Sequence, residues 1–137
     1  MTYYSSIEKI MFHDSVRPFL SPNLITRCLS SCNFDNSAVV PYISTVSTLK
    51  DFNLLCVPGV RKEPVAILQT PETFMLRSLC DIIIKVKNID DYQTLPDLYE
   101  HNGNKCLYIS GEFMNFKITS PDDLELAKRL FDGRLKY

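Results

Sequence analysis

An α/β fold, a Rossmann-like sheet with helices on both faces, is the class that these 137 residues predict. Three observations predict it. Apolar runs of strand length alternate with segments of helical periodicity. Two helix starts are spelled Ser-Pro, at Ser21-Pro22 and Ser120-Pro121. Polar residues stand where strands end, the edge at which open α/β sheets gather ligands.

The elements follow in order. Residues 9–12 are a short apolar run closed by His13-Asp14, which predicts a buried strand. Ser21 as N-cap and Pro22 at the first helical position open a helix. Leu24, Ile25, Cys28, Leu29 and Cys32 continue it at helical spacing. A polar turn, 33–36, leads into a strand over 38–43 that carries Pro41. Residues 44–64 read as a hairpin-like arm, with strand chemistry at 45–49 and 54–57 and Pro58-Gly59 as a turn. A third core strand is expected at 65–68. Thr70-Pro71-Glu72 has the order of a helix start, predicting a helix to about Val86 with Phe74, Leu79, Ile82, Ile83 and Val86 on its apolar side. A weaker helix is expected over 91–101, interrupted by Pro96 and ended by Gly103. Strands at 105–109 and 116–118 follow. Ser120-Pro121-Asp122-Asp123 starts the last helix with a cap, a proline and two acids near the positive helix end. Alternation of this kind predicts a mainly parallel sheet in one domain spanning 1–137.

Composition narrows the function. Hydrophobic residues make up 45%, charged residues 23%, and the net charge is −1. Such a balance speaks against general electrostatic binding of nucleic acid, which needs a basic surface. No apolar run reaches membrane-spanning length; Ile82-Ile83-Ile84 is cut by Lys85. The opening residues are polar and show no secretory leader, so a cytoplasmic location is expected. The five cysteines have no spacing of a disulfide framework, and Cys28 and Cys32 read as small apolar residues on one helix face.

Three segments, taken together and in order, carry more than composition does. They are His13-Asp14-Ser15-Val16-Arg17-Pro18-Phe19-Leu20, Gln69-Thr70-Pro71-Glu72-Thr73-Phe74, and the run from Gly111-Glu112 through Asn115-Phe116-Lys117-Ile118-Thr119-Ser120-Pro121 to Asp123-Leu124. They resemble the His-Asp-x-x-Arg-Pro, Gln-Thr-Pro-Gln-x-Phe and Asn-Ile-Lys-Ile-Thr-x-Pro-x-Asp-Leu motifs of the 2-C-methyl-D-erythritol 4-phosphate and ribitol-5-phosphate cytidylyltransferases. Ser15-Val16 and Gly111-Glu112 resemble the ribitol-phosphate branch more.

The resemblance implies a nucleotidyltransferase that moves CMP from CTP to a sugar-alcohol phosphate, releasing pyrophosphate. Both reactants are polyanions, so positioning, positive charge and Mg²⁺ carry the chemistry. It implies Asp14 as the metal contact. It implies Arg17, Thr48, Thr70 and Lys117 as substrate-binding residues, and Arg61 or Lys62 as the catalytic cation. For Arg17 it implies contact with the substrate phosphate or a hold on the loop; plainer roles are a turn cap for Asp14, a surface ion pair for Arg17, a helix cap for Thr70 and a solvated strand lysine for Lys117. His13 reads as an orienting residue, because an attacking phosphate oxygen needs no base near neutral pH. The arm is expected to mediate a homodimer.

The chain departs from the family pattern as well. The family's Gly-rich segment followed by Pro-Lys has no counterpart among the four glycines, Gly59, Gly103, Gly111 and Gly133. A phosphate cradle needs clustered N–H groups. The resemblance therefore implies the C-terminal part of such an enzyme, without its cytidine site, and poor turnover by this chain alone. Ser47 replaces the acid of the family's Asp-Thr-x-Lys, while Thr48 and Lys50 remain. A non-catalytic remnant or assembly domain is the alternative reading.

Overall fold

The computed structural model describes residues 6–45 and 65–133. The stretch 46–64 lies outside them, and with it Thr48, Arg61, Lys62 and nearly all of the arm. The described residues form five strands: β1 (Lys9–Phe12), β2 (Ala38–Ser44), β3 (Ala66–Leu68), β4 (Glu72–Met75) and β5 (Leu107–Ser110). Four α-helices accompany them: α1 (Pro22–Ser31), α2 (Leu76–Ile83), α3 (Leu95–His101) and α4 (Pro121–Phe131).

β2 is the centre of the sheet. Its Val39–Tyr42 stretch runs parallel to β5, with Val39 opposite Leu107. Its other edge carries β3 and β4 in succession, both antiparallel, with Tyr42 opposite Leu68 and Ala38 opposite Phe74. β1 closes that side, antiparallel to β4. The sheet is therefore mixed, and the expectation of a mainly parallel one is corrected. That expectation merged β4 into the helix after it and so lost the strand that runs back along β2.

The helix expected from Thr70-Pro71-Glu72 begins only at Leu76. Residues 72–75 pair with β1 instead, Glu72 opposite Phe12 and Met75 opposite Lys9. Tertiary pairing outweighs the local helix-start spelling here. The segment at 65–68 is a strand, but its side chains are exposed, so it is an edge and not core. Residues 116–118 pair with no strand among the described residues; the Ile118 N–H donates to Val16 O at 2.9 Å instead. The α3 helix is shorter than expected. A 3-10 turn at Ile89–Asp91 precedes it, Thr94 caps it, and Pro96 sits in its first turn, where a missing N–H costs nothing.

Pleating divides the core between the faces. Ala38 and Phe74 point to one side, where Leu79 and Ile82 of α2 and Leu98 and Tyr99 of α3 cover them. Val39 and Met75 point to the other, packing with Cys32 at the end of α1. Helices on both faces are thus as expected. Pro41 lies opposite the break between β3 and β4, so the ladder asks it for no donor there.

The helix ends follow the sequence closely. Ser21 Oγ accepts from Leu24 N, and Ser120 with Asp123 forms a reciprocal capping box. Hydrogen bonds from the Thr119 N–H first, then from Ser120 and the Thr119 hydroxyl, hold the Asp123 carboxyl down at about 2. Gly103 takes φ +79° after α3, a conformation glycine adopts without strain. No helix among the described residues is long and apolar enough to cross a membrane.

Candidate functional site

Three connections meet at one edge of the sheet: the turn after β1, the break between β3 and β4, and the loop from β5 to α4. β1 and β5 both end at this edge, and β4 begins there. The geometry of open sheets thus brings the three sequence segments to one corner.

Asp14 is its centre. Its Oδ2 lies 3.2 Å from Arg17 Nε and 3.3 Å from Lys117 Nζ. Its backbone N–H donates to Thr70 Oγ1 at 3.0 Å. The structure therefore brings Asp14, Arg17, Thr70 and Lys117 together, although Thr70 lies 56 positions and Lys117 103 positions along the chain from Asp14.

The four are not equivalent. The Lys117 side chain is 46% exposed and that of Asp14 33%, whereas Arg17 is buried at 8%. Arg17 Nη1 donates to Asn115 O at 2.8 Å and Nη2 to Leu68 O at 3.4 Å. With Nε on Asp14, its guanidinium is committed to protein acceptors, which makes it a brace for the corner. Thr70 is committed too. The ring of His13 reaches Arg17 O through Nε2 at 3.0 Å and Thr70 Oγ1 through Nδ1 at 3.0 Å. A carbonyl only accepts, so Nε2 carries the hydrogen; in the neutral ring Nδ1 then accepts the Thr70 hydroxyl proton. The plainer cap reading of Thr70 fails, since no helix starts there, and His13 orients the turn as its position suggested. Of the four, Asp14 and Lys117 face solvent, with the exposed His13 ring beside them.

Behind that surface are residues whose side chains the sequence did not single out. Gln69 and Asn115 are buried at 2% and 0%. Gln69 bonds the backbone of Glu112 in both directions, and Asn115 Nδ2 donates to Thr70 O at 2.7 Å. The Glu112 carboxylate accepts from Ser21 Oγ at 2.9 Å and pairs with Arg27 at 3.1 Å, tying the loop to α1. The only signal for these was their membership of the quoted motifs. Beside the corner, burial and then the Asp14 charge push the Glu72 carboxyl up to about 7. Cys28 and Cys32 are fully buried, and burial raises both thiols, as suits small core residues.

Known proteins match this arrangement over nearly the whole chain. The family model described as "IspD: 2-C-methyl-D-erythritol 4-phosphate cytidylyltransferase" matches residues 4–132. A bifunctional enzyme IspD/IspF of Nitratidesulfovibrio vulgaris strain DP4 is 34% identical, covering 88% of this chain and 31% of its own length. A 2-C-methyl-D-erythritol 4-phosphate cytidylyltransferase of Syntrophus aciditrophicus is 32% identical, covering 93% of this chain and 57% of its own. The crystal structure of the enzyme of that name from Thermus thermophilus superposes with a TM-score of 0.82 at 28% identity, over 91% of this chain and 62% of that one. This chain thus spans from a third to just over half of the curated relatives it matches.

Proposed function

The chain belongs to the 2-C-methyl-D-erythritol 4-phosphate cytidylyltransferase family, and on that premise we propose that its Asp14–Lys117 corner is the acceptor-phosphate end of a site that transfers CMP from CTP to a polyol phosphate. The observation that carries this reading is the exposed Lys117 ammonium, held 3.3 Å from Asp14 at the ligand-gathering edge of the sheet.

In the proposed reaction an oxygen of the acceptor phosphate forms a bond to the α-phosphorus of CTP. The bond from that phosphorus to the β-phosphate oxygen breaks, and pyrophosphate leaves with the electron pair. No proton need be removed from the nucleophile. Lys117 holds the acceptor phosphate as a point charge. Arg17 and Thr70 act behind it, Arg17 fixing Asp14 and the Asn115 carbonyl, Thr70 fixing the Asp14 backbone. Thr48 is proposed to contact the substrate, and Arg61 or Lys62 to offset charge in the transition state.

Asp14 fits a Mg²⁺ contact. Its Oδ2 lies against both cations, and the carboxylate is one-third exposed at the sheet edge. No group of three His, Cys, Asp or Glu able to hold a metal occurs among the described residues. One carboxylate with phosphate oxygens and waters is a usual Mg²⁺ environment. When bound, the ion supplies charge neutralisation on the phosphates. A homodimer through residues 44–64 belongs to the same reading, and sedimentation equilibrium tests it.

The acceptor favoured is 2-C-methyl-D-erythritol 4-phosphate, which the names of the relatives carry; ribitol 5-phosphate is the second candidate. A pyrophosphate-release assay with CTP, Mg²⁺ and each acceptor tests the reading. Only slow release is expected of this chain alone, dependent on one acceptor and lost in Lys117→Met. Acceptor binding without release would favour a phosphate-binding domain without turnover of its own, a reading supported by the lack of clustered glycines in these 137 residues.

A further inference from the structure

Lys117 sits inside a stretch, 111–120, that has neither helix nor strand. Something must nevertheless hold its ammonium beside Asp14. The geometry points to Gln69 as the positioning residue, a buried amide clamp that sets the Lys117 loop and never touches the ligand. The inference rests on the reading that Lys117 holds the acceptor phosphate.

The clamp uses all the bonding capacity that Gln69 turns toward the loop. Nε2 donates to Glu112 O at 2.9 Å and to Asn115 O at 3.2 Å. Oε1 accepts from Glu112 N at 3.0 Å. Asn115 O also receives Arg17 Nη1 at 2.8 Å, so one carbonyl gathers the clamp and the brace of Asp14. Asn115 in turn reaches back to Thr70 O. Ahead of Lys117 the loop is thus fixed at 112 and 115 by groups that also fix Asp14 and Thr70; behind it the Ile118 N–H donates to Val16 O at 2.9 Å.

Gly111 makes the clamp possible. A Cβ at this position would lie 2.3 Å from Gln69 Oε1 and 3.1 Å from Tyr42 O. Gln69 is 2% exposed and bonded through both amide atoms, so it has no cheap way to retreat. Its chemistry is specific as well. A glutamate could not donate to the two carbonyls. A methionine keeps the length but leaves the Glu112 N–H without its acceptor.

The test uses the full chain with Gln69→Met, Gly111→Ala, Lys117→Met and the Gln69→Met/Lys117→Met double variant. Calorimetry with 2-C-methyl-D-erythritol 4-phosphate gives affinity. NMR of ¹³C-methylated lysines gives the Lys117 environment without any ligand. Gln69→Met and Lys117→Met are each expected to weaken binding about ten- to a hundredfold, the worth of one charge-assisted hydrogen bond. The double variant is expected to be no weaker than Lys117→Met alone, and the Lys117 resonance to move toward that of a solvated lysine in both Gln69→Met and Gly111→Ala. A Gln69→Met protein that keeps its affinity, or whose effect multiplies with that of Lys117→Met, overturns the clamp. Binding unchanged in Lys117→Met, or absent in the parent, refutes the phosphate reading instead; the lysine resonance then decides the clamp, an unmoved one overturning it. Should Gln69→Met fail to fold, Gly111→Ala decides by the same two readouts.

Discussion

The apolar face of the sheet and the polar corner at its strand ends show how differently this chain holds itself together. Under α2 and α3, Phe74, Leu79, Leu98 and Tyr99 close-pack; Phe74 and Tyr99 lie 5.5 Å apart, ring centre to ring centre. At the strand ends, a few residues away, Arg17, Gln69 and Asn115 are buried yet bonded mostly to backbone groups, with Asp14 as the side-chain partner. The first region stabilises by area and tolerates similar shapes. The second stabilises little in net terms but is costly to leave half-made, so it specifies position. The lesson is that stability and geometry are assigned to different residues, and substitutions should separate them.

The largest expected effect is in the apolar region. Phe74→Ala should lower unfolding free energy by about 3–5 kcal/mol through cavity formation. Urea unfolding checks this. Arg17→Met comes next, at about 1–3 kcal/mol, because it removes a buried guanidinium bonded to Asp14, Asn115 O and Leu68 O, leaving Asn115 O with Gln69 alone. It should also free Lys117, so unlike Phe74→Ala it should weaken phosphate binding at temperatures where the variant is fully folded. Ser120→Ala removes one half of the capping box at the start of α4, three residues past Lys117, and should cost about 1 kcal/mol in urea unfolding.

Glu72 sharpens the border between the regions. Its carboxyl is raised from 4.5 to about 7. The folded state then holds a proton that the unfolded chain releases, so stability is fully present below about 4.5 and falls as pH rises through about 7. Glu72→Gln should abolish that fall, its advantage over the parent growing from about pH 5 to 8 in thermal melts without divalent cation. A parallel pH profile for both proteins would remove Glu72 from the account.

Much of the fold was legible because some signals are local. Ser21-Pro22, Ser120-Pro121-Asp123 and Gly103 act on the backbone beside them, and each does in the structure what its type predicts. Thr70-Pro71-Glu72 carries the same spelling and misleads. Its hydroxyl is engaged 56 positions away, at Asp14, and its following residues find a strand partner in β1. The convergence of Asp14, Arg17, Thr70 and Lys117 was legible from the three segments. Their division of labour was not, since only packing distinguishes a saturated arginine from an exposed lysine. Gln69 and Asn115 stayed hidden for the same reason, as a buried amide has no periodicity.

The smallest expected stability change carries the most direct test. Lys117→Met should alter unfolding free energy by no more than about 0.5 kcal/mol, as an exposed ion pair contributes little. Calorimetric titration of 2-C-methyl-D-erythritol 4-phosphate into parent, Lys117→Met and Lys128→Met isolates its role, Lys128 being an exposed α4 lysine paired 2.7 Å from Glu125. The account predicts binding about ten- to a hundredfold weaker in Lys117→Met and unchanged in Lys128→Met. Equal affinity in all three proteins would contradict it.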